Sequence, residues 1–180
     1  MGAENAEICS RYLMANVDWI YSKRFDKDKK LVTLNSGYIF SFSKYEGFSY
    51  RLLAIEFLID DDFNYLLQMS VAEHEDKAKN NSDQFQEKGR VPEKILDYLE
   101  ILLDSDFKSL KQNYNFSDYD ISDIGSQQFL INMDEGIEVN IKEGLPVEYF
   151  ETDVELFLFE FNEYMKKWVE EKYEAWILNE

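Results

Sequence analysis

The sequence contains few of the residues on which most catalytic and metal-binding sites depend. Among 180 residues there is one cysteine, Cys9, and one histidine, His74. One cysteine excludes an intramolecular disulfide, and one histidine excludes a zinc or iron site that takes two histidines from the same chain. The chain also lacks the G-x-x-x-x-G-K-S/T and G-x-G-x-x-G phosphate-binding motifs. We therefore expect no cofactor, no metal site and no enzyme activity.

Long hydrophobic runs and linker-like segments are absent as well. No stretch approaches the roughly 18 apolar residues that a membrane-spanning helix needs. The first residues lack the basic and then apolar order of a signal peptide, which favours a cytoplasmic location. Two prolines and seven glycines leave no candidate linker. We therefore interpret residues 1–180 as a single domain.

Positive charge is scarce and unevenly distributed. Nineteen basic residues stand against 37 acidic ones, which gives a net charge of −18. Residues 1–90 contain 12 basic and 15 acidic groups, whereas residues 91–180 contain 7 and 22. A field of this sign repels bare nucleic acid and anionic membranes and attracts basic protein surfaces. We predict a basic protein partner, and solubility alone is an equally good explanation of the acidic half.

Three polar segments resemble cation sites but have simpler explanations. Asp118, Asp120 and Asp123 resemble the start of a calcium loop, but Asp123 stands where that loop requires glycine. The three aspartates at 60–62 could hold magnesium, yet a turn between two strands is the simpler explanation. His74 lies in a polar stretch, where a solvated histidine is expected. None of these segments is a predicted metal site.

Three segments have the 3.6-residue periodicity of amphipathic helices. They are residues 4–24, 92–104 and 152–178. The last is the clearest, because its apolar side chains fall on one side and most of its charges on the other. Thr152 and Glu155 have the spacing of a capping box that would start this helix. In an alternative interpretation, residues 154–161 are a strand that precedes a shorter helix.

Strands are predicted between the helices. An antiparallel meander is predicted over residues 30–34, 38–42, 49–59 and 63–71. Gln127–Met133 and Ile137–Lys142 predict a hairpin. Residues 72–91 are polar without a period and predict a mobile loop, and residues 105–125 predict an acidic insertion. The predicted fold is α+β, a two-layer sandwich in which N-terminal, middle and long C-terminal helices cover a mainly antiparallel sheet.

The best candidate for a partner-facing surface combines acidic loops with apolar groups at the start of the last helix. Leu156 and Phe159 lie off the main apolar stripe of that helix, so something must cover them. Either another element of the chain covers them, or a partner does so at an interface with an aromatic centre and an acidic rim. The predicted partner-binding residues are Asp118, Asp120, Asp123, Asp134, Glu135, Glu138, Leu156 and Phe159.

The order helix, strands, helix, hairpin, helix resembles that of the type III secretion chaperones and their relatives. The resemblance rests on residues 4–24, 30–71, 92–104, 127–142 and 152–178. It implies a small acidic cytoplasmic homodimer that binds a secreted effector. No motif residue is matched, so the resemblance assigns no site residue.

Three functions are consistent with this sequence. The first is a non-catalytic module that neutralises or holds a basic toxin, nuclease or effector, as immunity proteins and inhibitors do. The second is a dimer similar to the secretion chaperones. The third is an enzyme that acts through carboxylates, with or without a metal, which 37 acidic residues always permit. The first explains the charge most directly and is the function that we predict.

Overall fold

A computed structural model describes residues 20–46, 51–73, 83–116, 124–132 and 136–178. For residues 51–53, 72–73 and 178 it describes the backbone alone. These residues form nine strands and two α-helices. The strands are β1 (Lys23–Asp26), β2 (Leu31–Leu34), β3 (Tyr38–Tyr45), β4 (Arg51–Asp60), β5 (Asn64–Glu73), β6 (Asp83–Arg90), β7 (Asn113–Tyr114), β8 (Ser126–Ile131) and β9 (Ile137–Lys142). The helices are α1 (Glu93–Asp104) and α2 (Asp153–Leu178), and short 3-10 helices lie at Phe107–Ser109 and Val147–Tyr149.

Seven strands form one large sheet in the order β6-β5-β4-β3-β8-β9-β7. β3 to β6 are a meander in which each strand is antiparallel to the next. The β8–β9 hairpin joins this meander through antiparallel pairing of β8 with β3, and β7 pairs in parallel with β9. β1 and β2 form a separate antiparallel sheet.

Both helices lie on one face of the large sheet, which we call the front. The ring of Phe161 on α2 lies 5.8 Å from that of Phe40 on β3 and 5.5 Å from that of Phe129 on β8. Tyr98 on α1 stacks on the same Phe161 ring at 5.0 Å. Because large aromatic side chains bury the most apolar area per residue, this cluster is the centre of the core. Trp168 on α2 extends it, with its ring 5.2 Å from that of Phe57.

The small sheet lies on the opposite face, which we call the back. Leu34 of β2 is 1% exposed and packs against Leu58 and Leu130 of the large sheet. Just before β1, the Ile20 N–H donates to Gln68 Oε1 at 2.7 Å, and Gln68 Nε2 donates to the Ile20 carbonyl at 3.1 Å. The large sheet is therefore covered by helices on its front and in part by a hairpin on its back.

The predicted two-layer sandwich with three covering helices is wrong. The described residues are mostly strand, with nine strands in two sheets and two α-helices. Of the predicted N-terminal helix 4–24, residues 1–19 lie outside the described part of the chain, and Lys23 and Arg24 belong to β1. Pairing of Lys23 with Leu34 and of Phe25 with Val32 outweighs the local helical periodicity.

The predicted mobile loop is also wrong in part, because residues 83–90 form β6. This strand lies at the edge of the sheet, and of its side chains only Phe85 packs against the apolar core. Its polarity therefore reflects its edge position. The meander begins at β3 and ends at β6. Residues 30–34 are predicted as its first strand, but residues 31–34 form β2 of the small sheet.

Both remaining helices and the hairpin are confirmed. α1, α2, β8 and β9 begin within a few residues of the predicted positions. The capping box forms: the Glu155 N–H donates to Thr152 Oγ1 at 3.3 Å, and the Thr152 N–H donates to Glu155 Oε2 at 3.1 Å. The alternative strand at 154–161 is excluded, because these residues are the first turns of α2. Within the described ranges, neither helix has the length and apolar character to cross a membrane.

Candidate functional site

The structure places three of the predicted partner-binding residues and does not bring them onto one surface. Glu138 points to the back, where its carboxylate accepts hydrogen bonds from the Val32 N–H at 2.7 Å and from Gln128 Nε2 at 3.1 Å. Leu156 and Phe159 lie on α2, at the front. The others, which lie outside the described residues, are Asp118, Asp120, Asp123, Asp134 and Glu135.

Another part of the same chain covers one of the two apolar candidates. The Phe159 ring lies 5.0 Å from that of Phe150, which stacks on Tyr114 at 4.9 Å. Leu156 stays 38% exposed. Of the two, therefore, Leu156 is the one available to a partner.

The outward surface of the two helices is a larger candidate, which we call the acidic layer. On α1 and α2 the exposed cations are Lys94 and Lys167. Ile101 of α1 is 53% exposed among the carboxylates of this surface. The exposed carboxylates that define the acidic layer, four on α1 and six on α2, are those of Glu93, Asp97, Glu100, Asp104, Asp153, Glu160, Glu163, Glu170, Glu171 and Glu174.

Only some carboxylates of the acidic layer are neutralised by the chain. Glu170 is 2.6 Å from the buried Lys44 ammonium, Glu163 is 3.1 Å from that of Lys166, and Glu171 is 3.9 Å from that of Lys167. The other seven form no ion pair with any residue in the described ranges. The four on α1 recur every three or four residues, so they follow one side of that helix for about 16 Å.

A buried carboxylate fixes the start of α2. Glu155 is 2% exposed, and its Oε1 accepts a hydrogen bond from the Tyr114 hydroxyl at 3.0 Å and lies 3.2 Å from the Lys111 ammonium. Burial by itself raises the pKa of Glu155, but the N–H groups of Glu151 and Thr152, together with Tyr114 and Lys111, outweigh burial and lower that pKa. Glu155 is therefore ionised at neutral pH and holds the helix in place.

A second carboxylate fixes the other end of α2. Glu87 of β6 accepts hydrogen bonds from the Tyr65 hydroxyl and from the Lys172 ammonium. The Lys172 ammonium also lies 5.4 Å from the centre of the Trp168 ring. Burial raises the pKa of Glu87, but its two hydrogen-bond donors and the positive charge of Lys172 lower it overall. These contacts are structural, and they hold α2, and with it the acidic layer, in a fixed position on the sheet.

The back of the large sheet carries a polar row, with one side chain from each strand. Lys23 of β1 lies over this row: its ammonium donates to Ser43 Oγ at 2.6 Å and to Gln128 Oε1 at 2.9 Å. It also lies 3.3 Å from Glu56, which is 4% exposed. The polar row, in the order of paired neighbours, is Gln86, Gln68, Glu56, Ser43, Gln128, Asn140 and Asn113.

A cavity of about 400 Å³ opens beside the polar row. Its lining includes Lys23 and Glu56, together with the exposed rings of Tyr21 and Tyr45. The Lys23 ammonium donates hydrogen bonds to Ser43 and Gln128 and forms an ion pair with Glu56, and the Glu56 carboxylate also accepts from Ser22 Oγ at 3.0 Å. The charged groups of this cavity therefore hold the hairpin.

The polar segments that resemble cation sites are only partly within the described residues. Asp60 forms the predicted turn, because its Oδ1 accepts hydrogen bonds from the N–H groups of Asp62 at 3.0 Å and Asn64 at 2.8 Å. His74 and residues 118–123 lie outside the described ranges. Within those ranges, no group of three or more histidine, cysteine, aspartate or glutamate side chains is placed to hold a metal ion.

Sequence reasoning missed the ion pair between Lys23 and Glu56 at the back of the sheet. The signal was one acidic residue, Glu56, inside an otherwise apolar stretch, since a carboxylate in a buried strand requires a partner. No protein-family model and no curated protein matches this chain. The resemblance to secretion chaperones therefore stays a prediction, and the functional argument depends on the chemistry of the surfaces.

Proposed function

We propose that the protein is a non-catalytic binding module that docks a basic protein on its acidic layer. The observation that supports this most directly is the imbalance on that surface, where ten exposed carboxylates stand against two exposed lysines. Such a surface raises the rate of encounter with a cationic partner and disfavours anionic ones. A neutralising protein of the immunity or inhibitor type requires this chemistry, with a toxin, nuclease or effector as the partner.

Two exposed apolar side chains can supply the short-range binding energy that charge attraction alone does not provide. Ile101 is 53% exposed and Leu156 is 38% exposed, and both lie on the acidic layer. Binding energy at interfaces is concentrated in a few apolar or aromatic groups that become desolvated inside a polar rim. The expected partner therefore has a basic surface with a shallow apolar depression. A cytoplasmic location belongs to the same proposal.

The test begins with capture of a partner by the intact protein and reconstitution of the pair from purified components. Association and dissociation rates are then measured over a series of salt concentrations. We expect the association rate to fall by about tenfold or more between low and high salt, because screening weakens attraction between exposed charges. An association rate that does not change with salt would contradict the proposal.

Matched variants locate the surface. We expect Asp97→Asn with Glu100→Asn to weaken binding by about tenfold, and Ile101→Ala to accelerate dissociation. The control is Asp61→Asn with Asp62→Asn, which removes the same charge from the exposed turn between β4 and β5. If the control pair weakens binding as much as the α1 pair does, then net charge rather than the acidic layer accounts for the interaction.

A further inference from the structure

An aromatic cluster lies where the two helices meet on the front of the sheet. Tyr98 of α1 stacks on Phe161 of α2, with 5.0 Å between the ring centres and 3° between the ring planes. Phe157 and Tyr164 of α2 flank the Tyr98 ring at 5.5 Å and 5.2 Å, and these three outer rings are only partly buried. Because Phe161 occupies one face of the Tyr98 ring, the opposite face is directed away from α2.

A cation of the chain itself lies over the Tyr98 ring. The Lys94 ammonium is 4.8 Å from the ring centre, and Lys94 is exposed to solvent. Among the described residues, no carboxylate lies within ion-pair distance of Lys94, although the acidic layer has ten of them. The face of a tyrosine ring attracts cations through its quadrupole. The contact with Lys94 therefore identifies a place where a positive group is favoured, which we call the Tyr98 subsite.

Carboxylates of the acidic layer lie around the Tyr98 subsite. Asp97 directly precedes Tyr98, and Glu160 lies one helical turn before Tyr164 on the same side of α2. Burial raises the pKa of the Tyr164 hydroxyl, and the nearby Tyr98 and Glu171 raise that pKa further. These groups disfavour another negative charge and favour a positive one.

We propose that the Tyr98 subsite binds an arginine side chain of the basic partner, whose guanidinium displaces Lys94 and stacks on the ring. Arginine suits this place better than lysine, because its guanidinium is planar, is weakly hydrated and stacks on aromatic faces. The same group can donate hydrogen bonds to carboxylates beside the ring. The inference rests on the proposed function, since it names one anchor of the partner that docks on the acidic layer.

The test compares two probes of equal charge, hexaarginine amide and hexalysine amide, by isothermal titration calorimetry with the intact protein. We expect hexaarginine to bind more tightly. We expect Tyr98→Leu, which keeps an apolar side chain but removes the ring, to raise the Kd of hexaarginine by about 2-fold to 5-fold and that of hexalysine by less. Tyr98→Phe keeps a ring and should retain the wild-type difference between the probes.

The control for the loss of a tyrosine is Tyr21→Leu, because Tyr21 is exposed and lines the cavity at the back of the sheet. Neither peptide should bind this variant differently from wild type. Circular dichroism checks that each variant is folded.

Lys94 supplies a second, independent comparison that leaves the aromatic cluster intact. Lys94→Gln removes the cation that competes for the ring, so we expect it to lower the Kd of hexaarginine by at least about 2-fold more than Lys167→Gln does. The two variants lose the same charge from the acidic layer, but the Lys167 ammonium lies 3.9 Å from the Glu171 carboxylate. If Tyr98→Leu does not fold, this comparison decides alone.

Three outcomes would overturn the Tyr98 subsite. They are equal affinity of wild type for the two peptides, an equal loss of affinity for both peptides in Tyr98→Leu, and an equal effect of Lys94→Gln and Lys167→Gln. In each case, salt-dependent binding of the peptides would leave the acidic layer as a docking surface. Failure of both peptides to bind at low salt would instead contradict the proposed function itself.

Discussion

At the scale of single residues, Glu155 shows how local and distant contacts meet in one carboxylate. Its role in the capping box can be predicted from the spacing to Thr152, because both residues lie in the same helical turn. Its contacts with Tyr114 and Lys111 cannot, since they join segments 41 and 44 residues apart, and the sequence offers many other tyrosines and lysines. The sequence therefore predicts the cap but not the burial of the charge.

We expect Glu155→Gln to lower the free energy of unfolding at neutral pH by about 1–3 kcal/mol, since glutamine keeps the cap but loses the charge-assisted bonds. The pKa of Glu155 is lower in the folded state than its ordinary value of 4.5. Its contribution to stability is therefore fully present above that value and is lost as the pH falls through the lowered pKa.

The measurement is urea unfolding of wild type and variant at pH 7 and near pH 3. The difference between the two proteins should shrink at the lower pH. Glu160→Gln, an exposed glutamate on the same helix, is the control and should change stability little at either pH. An equal loss for Glu155→Gln at both pH values would show that its ionisation contributes nothing.

At the scale of secondary-structure elements, what could be predicted follows from periodicity. Four elements bury one side and expose the other, namely α1, α2, β8 and β9. Their sequences therefore show the hydrophobic periodicity of a helix or a strand. β6 buries only Phe85 in the core, and β1 is held through the side chain of Lys23, so neither strand shows hydrophobic alternation. Composition predicts that the C-terminal half is acidic, but it does not predict which carboxylates are available to a partner. Glu138 and Glu155 accept hydrogen bonds within the fold, whereas Asp97 is exposed.

The hairpin of β1 and β2 supplies a prediction at this scale. We expect Lys23→Met to destabilise the protein by about 2–4 kcal/mol, because the buried Glu56 carboxylate loses its ion-pair partner. Adding Glu56→Gln should recover part of that loss, since the buried group is then neutral. Chemical denaturation gives the free energies, and amide exchange over residues 23–34 reports the hairpin directly. Lys27→Met, in the exposed turn, is the control. Losses that simply add in the double variant would mean that the two side chains are not coupled.

At the scale of the whole molecule, the large sheet separates opposite charges. The acidic layer is at the front, whereas residues 23–30, around the hairpin turn at the back, have five basic and two acidic groups. Among the described residues, ten exposed carboxylates are therefore crowded on one side of the sheet. Crowded like charges destabilise the compact state, and salt relieves this repulsion.

We expect the melting temperature to rise by several degrees between about 20 mM and 200 mM sodium chloride, because repulsion within the acidic layer is screened. Glu160→Gln with Glu174→Gln should reduce this dependence on salt. Thermal unfolding followed by circular dichroism measures both. A melting temperature that falls as salt is added would indicate instead that ion pairs such as Lys44–Glu170 dominate.

The polar row on the back of the sheet bears on how the chain finds one arrangement of its strands. Slipping a strand by one residue exposes its apolar face, but slipping it by two leaves every side chain on its original face. Apolar packing alone discriminates weakly against that second error, whereas Gln68, Glu56 and Gln128 would each lose the neighbour that satisfies them. Each misaligned strand would leave a buried polar group without a hydrogen-bond partner, which costs free energy. The polar row therefore favours one register at each strand pair of the seven-stranded sheet. A sheet with shifted strands is disfavoured before its core is complete.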